Sequence, residues 1–303
     1  MEISFIIVNW NTKDLLRGCL DSIAKTVSSL SHEIIVVDNA SSDGSADMLA
    51  RDYPRVQCIA NAENRGFGAA NNQGFAVMKG KYALLINTDA VLTEGAVEKL
   101  WRFAEAHPRA AIVCGQLLNA DNSKQNSIAA FPTLLSLCLN TSLLEYLLPG
   151  RYPSKRYEHR EPLEIESAIG ACMMVRGQAL KEVSYFDERY FFFFEETDLA
   201  FAMKRAGWGI YQLPDAHIYH FQGQSIGHNT QSRIEFYRSR YQFLRKWHGT
   251  AYYHAAVAVI FLRLLADVLL NAAGVVFTLG LAAGIRRKLV VYSRILRWHF
   301  RRE

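Results

Sequence analysis

The first 120 residues alternate short apolar runs with segments of helical periodicity, and this alternation limits the folds open to the chain. The apolar runs of strand length are residues 3–8 (ISFIIV), 33–38 (EIIVVD), 56–60 (VQCIA), 82–87 (YALLIN) and 110–115 (AAIVCG). Strands that are apolar on both faces are typical of a parallel sheet covered by helices on both sides. The sequence therefore predicts an α/β fold with a mostly parallel, Rossmann-like sheet and flanking helices.

Polar side chains follow the first four of these runs. They are Asn9, Asn11, Asp38, Asn39, Asn61, Asn64, Arg65, Asn87, Thr88 and Asp89. Each one alone is consistent with a helix cap or a turn residue. In open α/β sheets, however, ligands bind at the carboxyl ends of the strands. The convergence of these groups on one sheet edge therefore predicts a site for a polar ligand.

A nucleotide is the expected ligand, although the usual phosphate cradles are missing. The first turn reads NWNTKD and lacks the G-x-G-x-x-G pattern of dinucleotide folds, and the chain has no Walker lysine motif. A diphosphate would then need another counter-charge. Mg²⁺ or Mn²⁺ can supply it, because these ions bind one or two carboxylates together with phosphate oxygens. We expect Asp89 to be the carboxylate.

Six motifs in order extend this interpretation. They read FIIVNWNTKDLLRGCLDSI, EIIVVDNASSDGS, NAENRGFGAANNQGF, LLINTDA, FFFFEETDLAFAMKRAGW and HFQGQS. Over about residues 3–228 the chain resembles family 2 glycosyltransferases, especially their rhamnosyltransferase-like branch. The resemblance implies a GT-A fold and an inverting transfer of sugar from a nucleotide diphosphate donor.

The resemblance also implies roles for residues that would contact the donor. Those that it assigns to the nucleotide sugar are Val8, Asn9, Asp38, Asn39, Arg65 and Asn72. Asp38 matches the residue that reads the donor base, and the backbone of Val8 and Asn9 would line the base pocket. Arg65 and Asn72 lie in the segment that faces the nucleotide sugar.

Metal-binding and catalytic roles follow in the same way. Asp89 matches the last acid of the D-x-D metal motif, and Asn87 replaces its first acid. The segment EETD matches the one that carries the general base, which falls on Glu196, with Glu195 as the neighbouring alternative. Inversion requires such a carboxylate to accept the proton of the acceptor hydroxyl. A solvated helix start, where the dipole favours acids, is the structural alternative.

Two histidines follow the last predicted strand. Related enzymes place a histidine near the position of His220, against the metal or the diphosphate, but a single histidine also serves structural roles. His228 is the weaker candidate because it lies in a predicted loop. Trp208 follows Gly207 and is expected in the core.

The remaining segments differ from the sheet region. Residues 120–165 are predicted to be an insertion on the acceptor side of a domain spanning 1–228, with a helical, amphipathic and basic tail at 229–303. The apolar stretch 251–284 carries Arg263, Asp267 and Asn271 on one helical face. We expect an amphipathic helix, or a helical hairpin near Gly274, in a membrane interface. A buried helix pair or a homodimer interface is the alternative.

Charge and cysteine content indicate where the protein acts. The net charge of +5 is concentrated at Arg286, Arg287, Lys288, Arg294, Arg297, Arg301 and Arg302. Such a cluster suits anionic headgroups. Five scattered cysteines without a C-x-x-C pair indicate a reducing compartment, and the N-terminus lacks signal-peptide features. The expected location is the cytoplasmic face of the inner membrane.

The expected function is transfer of L-rhamnose from dTDP-rhamnose to a lipid-linked saccharide of a surface glycan such as O-antigen or cell wall. UDP and GDP sugars remain open as donors. A catalytically silent scaffold that binds nucleotide sugars at the membrane is the second hypothesis. Nucleic-acid binding through the basic tail is disfavoured, because the tail lacks interleaved aromatic stacking platforms.

Overall fold

A computed structural model describes residues 1–155, 157–221 and 230–301. The chain divides into two compact units. The first unit comprises Met1–Phe131 with Leu148–Ile226, and the second comprises Pro132–Leu147 with Gly227–Glu303. The predicted domain limit at residue 228 lies outside the described residues, so it stays a prediction.

Within the described residues, the strands in chain order are β1 Ile3–Asn9, β2 His32–Asp38, β3 Gln57–Ala60, β4 Tyr82–Ile86, β5 Ala90–Leu92, β6 Ala110–Leu118, β7 Ile128–Ala129, β8 Leu163–Glu164, β9 Ser167–Ala168, β10 Cys172–Arg176 and β11 Gly209–His220. The helices are α1 Lys13–Thr26, α2 Ser45–Asp52, α3 Phe67–Val77, α4 Ala96–Ala106, α5 Leu134–Cys138, α6 Thr141–Leu147, α7 Gly177–Glu182, α8 Glu195–Arg205, α9 Thr230–Trp247, α10 Thr250–Phe277 and α11 Ala283–Arg301.

The first unit is built on one mixed sheet with strand order β3-β2-β1-β4-β10-β6-β11-β5, and β8 pairs with β11. The pairs β1–β2, β1–β4, β2–β3 and β6–β11 are parallel. The predicted α/β fold with a largely parallel sheet is therefore confirmed. Strand β10 was not foreseen in its position, because it runs antiparallel between β4 and β6.

The strand register sets up the site. Asn9 at the end of β1 lies opposite Asp38 at the end of β2. Strand β4 runs parallel on the other side of β1, with Leu85 opposite Ile6. The carboxyl ends of these three neighbouring strands therefore meet at one edge, where ligands bind in α/β sheets.

Two apolar clusters cover the two faces of this sheet. Phe5 and Ile7 of β1 face one cluster, which contains residues of α1, α2 and α4. Ile6 points the opposite way, into a cluster with residues of α3, α7 and α8. This alternation follows from the two-residue period of a strand. Each large apolar side chain buried in this way contributes about 1.5–3 kcal/mol to folding. The packing on both faces therefore stabilises the strands whose ends form the site.

The second unit is helical and contains α5, α6, α9, α10 and α11. Its core includes Tyr241 and Leu244 of α9, Ile260 of α10 and Ile295 of α11. Helices α10 and α11 form a hairpin whose turn is at 278–282, a few residues beyond the predicted reversal near Gly274. The two helices approach closely there, since a Cβ on Gly274 would lie 3.1 Å from the Ile285 side chain.

Candidate functional site

Asp38 and Asn9 form the centre of a buried polar network at the ends of β1 and β2. Asn9 Nδ2 donates to Asp38 Oδ1 at 2.6 Å and lies 3.0 Å from Ser41 Oγ. The Ser41 N–H donates to Asp38 Oδ2 at 3.0 Å. Both carboxylate oxygens are thus held in place while Asp38 is only 3% exposed, as expected for a buried charged group. The pair that was predicted to contact the donor base is rigidly fixed.

Thr12 connects this network to the end of β4. Its hydroxyl lies 2.8 Å from Asn9 Oδ1 and 2.9 Å from the hydroxyl of Thr88, which is buried. Asn11 has a φ of +54°, and its Oδ1 accepts from the Ser42 N–H at 2.7 Å. Thr12 is the N-cap residue of α1, but its side chain makes no capping hydrogen bond. The capping explanation for these polar residues is therefore not supported.

Asn39 and Val8 are supported by neighbours in the same region. Asn39 is 2% exposed and donates through Nδ2 to the Gly66 carbonyl at 3.2 Å. Its Oδ1 accepts from Asn61 Nδ2 at 2.8 Å. The Val8 side chain packs against the small apolar cluster that includes Ala70. Asn39 thus positions the glycine-rich turn that follows β3.

This glycine-rich turn packs directly against the acidic segment. Gly66 has a φ of +82°, and a Cβ there would lie 2.5 Å from the Phe191 carbonyl oxygen. The Phe67 N–H donates to the same carbonyl at 3.3 Å. A Cβ on Gly68 would lie 3.6 Å from Cγ of Glu195. The absence of side chains at these two glycines therefore allows the predicted nucleotide and base segments to touch.

Arg65 and Asn72 meet at Glu188. Asn72 Nδ2 donates to Glu188 Oε1 at 3.0 Å and to the Phe186 carbonyl at 2.9 Å. Its Oδ1 accepts from the Phe186 N–H at 3.1 Å. Arg65 Nη2 lies 3.9 Å from Glu188 Oε2, and the side chains of this pair are 43% and 51% exposed. The Asn72 amide is thus engaged with the protein, whereas Arg65 is only loosely held.

Glu195 and Glu196 begin α8 after two residues with left-handed backbone. Phe193 and Phe194 have φ values of +68° and +72°. This conformation costs about 1–3 kcal/mol for each residue that is not glycine. Glu195 is 2% exposed and Asp198 is 3% exposed, with Asp198 Oδ1 accepting from the Tyr190 hydroxyl at 3.1 Å. The segment is therefore not a solvated helix start.

Glu196 is the more accessible of the two glutamates. It is half-buried and lies against Gly170, where a Cβ would be 3.7 Å from its Cδ. Burial raises the pKa of Glu196 above the ordinary value of 4.5, and the N–H groups of Glu196 and Gly170 partly oppose that shift. A carboxylate of raised pKa that can be reached from outside is suited to accept a proton.

The turn that contains Gly170 also contacts the end of β4. The Asn87 N–H donates to the Ala171 carbonyl at 2.9 Å, and Asn87 itself is half-buried. One side of this turn therefore supports Glu196 and the other supports the segment that leads to Asp89. The predicted base and the predicted metal ligand are thus held by one short element.

Asp89 and His220 come from distant parts of the sequence and lie close together in the fold. Pairing of β5 with β11 sets Ala90 opposite His220, and His220 Nε2 lies 3.4 Å from Asp89 Oδ1. Both residues are buried. Metal bonds of about 2.1 Å place two adjacent ligand atoms roughly 3 Å apart, so this pair fits a divalent cation with slight adjustment.

The cation would need further ligands from the substrate. Within the part of the chain that the structure describes, no group of three or more His, Cys, Asp or Glu side chains is arranged to hold a metal. Mg²⁺ and Mn²⁺ are commonly bound by one or two protein ligands together with phosphate oxygens. The pair of Asp89 and His220 therefore suits a metal that arrives with a diphosphate.

Some predicted site residues lie outside the residues that the structure describes, and the sequence did not reveal some residues that support the site. His228 and most of HFQGQS lie outside the described residues. Trp208 is 3% exposed, as expected for a core residue. The supporting residues Thr12, Ser41 and Gly170 were not foreseen. Gly170, within the apolar run IESAIGACMMV, was the one with a visible signal, because an isolated glycine in a strand pattern indicates a close approach.

The fold is an α/β fold whose candidate site lies at the carboxyl ends of parallel strands, with two adjacent glutamates and a candidate metal pair. The sequence model described as Glycosyl transferase family 2 matches residues 4–184. The chain belongs to this family, its fold is of the GT-A type, and it is a glycosyltransferase that is similar to rhamnosyltransferases.

Curated relatives agree with this assignment. The chain is 28% identical over 231 residues to N-acetylglucosaminyl-diphospho-decaprenol L-rhamnosyltransferase of Mycobacterium tuberculosis, covering 71% of this chain and 75% of that protein. It is 23% identical over 226 residues to a low-salt glycan biosynthesis hexosyltransferase of Haloferax volcanii, covering 73% and 67%. Poly(ribitol-phosphate) beta-glucosyltransferase of Bacillus spizizenii is 33% identical over 122 residues, covering 39% and 19%.

Proposed function

We propose that the protein is an inverting glycosyltransferase that moves L-rhamnose from dTDP-L-rhamnose to a lipid-linked saccharide in surface glycan synthesis. The observation that carries the proposal is the position of Glu196, a carboxylate of raised pKa that lies against the same turn that supports the strand end leading to Asp89. The mycobacterial relative, whose name specifies L-rhamnosyl transfer to a diphospho-decaprenol acceptor, supports the choice of donor sugar and acceptor class.

The proposed reaction is a single displacement at C1 of the sugar. The acceptor hydroxyl oxygen forms the new bond to C1 while Glu196 accepts its proton. The bond from C1 to the diphosphate oxygen breaks, and its electron pair leaves with the nucleoside diphosphate. Glu195 is the alternative base, but its burial at 2% exposure favours Glu196 for contact with an incoming acceptor.

Asp89 and His220 would hold Mg²⁺ or Mn²⁺ in this scheme. The cation supplies positive charge that stabilises the departing diphosphate. These two side chains would keep the cation at the end of β4. Asn87 and Thr88 lie in the same segment, and we assign them to contact with the phosphates.

The donor base and ribose would lie along the ends of β1 and β2. Asp38 has both oxygens fixed by Asn9 and Ser41, so its remaining lone pairs are directed before a base arrives. Preorganised acceptors of this kind lower the cost of binding. The other residues that we assign to the donor are Val8, Asn11, Asn39, Arg65 and Asn72.

We also propose that the second unit attaches to the cytoplasmic surface of the inner membrane. By length and composition, α10 qualifies as a membrane span, and only 11% of its most apolar window is buried. The turn of the hairpin exposes Phe277, Leu279 and Leu281, at 88%, 86% and 84%. Exposed apolar patches of this kind mark membrane or protein contacts.

Charge favours a lipid surface as the partner of this turn. Arg286, Arg287 and Lys288 lie near the start of α11, whose first turn carries no acidic residue. Cations near a helix N-terminus oppose the helix dipole, so an anion at this position would relieve the repulsion. Acidic headgroups next to an apolar phase supply both requirements. A second copy of the chain with the same positive charge would not.

The function is tested by a transfer assay with the full chain in detergent or lipid. Purified protein is incubated with Mg²⁺ or Mn²⁺, a polyprenyl-diphosphate saccharide and a panel of dTDP, UDP and GDP sugars, and products are identified by mass spectrometry and by anomeric NMR. We expect rhamnosyl transfer with inverted configuration. Transfer of another sugar would refute the donor assignment. Binding of nucleotide sugar without transfer or hydrolysis would favour the silent scaffold.

A further inference from the structure

Gln125 contacts the His220 ring directly, and two further hydrogen bonds hold the Gln125 side-chain amide in place. Its Nε2 lies 2.5 Å from the His220 carbonyl oxygen and 2.6 Å from Asn119 Oδ1. Its Oε1 lies 3.0 Å from Nδ1 of the His220 ring. Gln125 is 6% exposed, and its backbone N–H donates to the Leu117 carbonyl at 2.8 Å. The amide is therefore held on several sides.

The donor and acceptor roles in this group follow from one unambiguous contact. A backbone carbonyl oxygen only accepts hydrogen bonds, so the Gln125 atom next to the His220 carbonyl must be the NH₂ group. The opposite atom of the amide is then the oxygen, which only accepts. The His220 Nδ1 that faces this oxygen must carry a proton.

A proton on Nδ1 determines what the other ring nitrogen can do. In the neutral imidazole, one nitrogen carries the hydrogen and the other presents a lone pair. The lone pair of His220 is therefore on Nε2, the atom that lies 3.4 Å from Asp89 Oδ1. A histidine that served only as a hydrogen-bond partner of Asp89 would carry its proton on Nε2 instead.

We propose that Gln125 is a positioning residue that locks His220 in the Nδ1–H tautomer, so that Nε2 is available as a metal ligand beside Asp89. Histidine ligands generally donate their second N–H to such a partner, which fixes ring orientation and tautomer. The inference rests on the proposed metal site, but it does not depend on which sugar is transferred.

The tautomer is measured by NMR on the full chain labelled with ¹⁵N-histidine, at a pH where His220 is neutral, with the His220→Asn variant for assignment. We expect the Nδ1–H pattern in the wild type and its loss in Gln125→Met. In a parallel titration with dTDP present, Gln125→Met should bind Mn²⁺ about 10- to 100-fold more weakly, the usual effect of removing such a partner.

Gln212→Met is the matched control. Gln212 is a fully buried glutamine on the same strand as His220, and its amide donates to the Leu213 carbonyl without contacting the imidazole. This variant should keep both the tautomer and the Mn²⁺ affinity, and equal weakening in it would reduce the Gln125 effect to general destabilisation.

Three results would overturn the inference. They are an Nε2–H ring in the wild type, an unchanged tautomer in Gln125→Met, and a lost tautomer with unchanged Mn²⁺ affinity. If Gln125→Met does not fold, the wild-type spectrum still decides. Because the NMR measurement needs neither donor nor acceptor, a failed transfer assay would leave this inference standing.

Discussion

The two units of the chain treat their apolar residues in opposite ways. In the first unit, the sheet buries its apolar side chains in clusters on both faces, and exposed aromatic residues such as Trp10 and Phe191 lie beside the candidate site. In the second unit, the most exposed apolar side chains of the chain's described part crowd the turn after α10. This difference supports the proposal that the second unit, and not the first, attaches to a lipid surface.

The polar residues show the same contrast. At the strand ends of the first unit, Asn9, Asp38 and Asn39 are buried and joined by hydrogen bonds. In the second unit, the cations that precede and follow the hairpin turn are mostly exposed, and Arg263 of α10 donates to the Leu137 carbonyl. The polar residues of the first unit are therefore held in place for the proposed chemistry. The cations of the second unit are exposed, as the proposed membrane attachment requires.

The largest effect is expected at Glu196. Glu196→Gln removes the proposed base while keeping shape and hydrogen-bonding capacity, so kcat should fall about 10²- to 10⁴-fold. Because only the ionised carboxylate accepts a proton, the wild-type rate should decline as pH falls through a pKa above 4.5. Steady-state kinetics against pH should show that this acidic limb is missing in the variant.

Glu195→Gln is the matched control for the base. It changes the adjacent acid and leaves Glu196 in place. A greater loss of kcat in Glu195→Gln than in Glu196→Gln would transfer the base role to Glu195.

The next effect concerns the hairpin turn. Leu279→Glu combined with Leu281→Glu should weaken binding to vesicles by about 100-fold or more. Each leucine that becomes buried in the lipid would contribute about 1.5–3 kcal/mol to binding. Cosedimentation with vesicles of mixed neutral and anionic lipid measures the loss, with transfer to a soluble acceptor analogue as the folding control.

Leu262→Glu distinguishes attachment through the turn from a spanning α10. Leu262 is 60% exposed in the middle of the helix. A spanning helix would lose membrane insertion in this variant, whereas attachment through the turn predicts a smaller loss than for the Leu279 and Leu281 pair. If the turn variants bind vesicles as the wild type does, but are monomers where the wild type is a dimer, the turn is a subunit interface.

The basic residues after the turn should have a lipid-dependent effect. Replacing Arg286, Arg287 and Lys288 by Gln removes about 1 kcal/mol of attraction per residue at an anionic surface. The same cosedimentation should show this loss with anionic vesicles and little change with neutral ones. Equal weakening on both kinds of vesicle would contradict the electrostatic part of the proposal.

A smaller effect is expected at the glycine turn of the first unit. Gly66→Ala places a Cβ 2.5 Å from the Phe191 carbonyl oxygen at a φ of +82°. The free energy of unfolding should therefore fall by about 1–3 kcal/mol. Gly95→Ala is the control, because Gly95 has a φ of +73° but open space around it. Denaturant titration should show a larger loss for Gly66→Ala, and equal losses would mean that the contact with Phe191 is unimportant.

The sequence predicted local features of the first unit better than long-range ones. The apolar runs identified β1, β2 and β4, since a strand's pattern is contained in its own residues. The position of β10 between β4 and β6 was not foreseen, because strand order is set by contacts between distant segments. Gln125 was missed for the same reason, as its partner His220 lies far along the chain.

The second unit was less open to prediction. The tail was predicted to be helical, with a long amphipathic helix or a hairpin near Gly274 as alternatives. Residues 132–147, predicted within the insertion, group with the C-terminal helices. Composition alone does not decide whether an apolar helix packs on protein or on lipid. For that reason its membrane role stays a prediction.

The proposed function requires that the strand ends of the first unit bind a nucleotide diphosphate through a metal on Asp89. Calorimetric titration of dTDP with and without Mn²⁺, in the wild type and in Asp89→Ala, tests it most directly. In the wild type, Mn²⁺ should strengthen dTDP binding by roughly 5- to 150-fold, the usual range for coupled ligands. Asp89→Ala should bind dTDP equally with and without Mn²⁺ while unfolding as the wild type does. A variant that kept the full Mn²⁺ dependence would contradict the account.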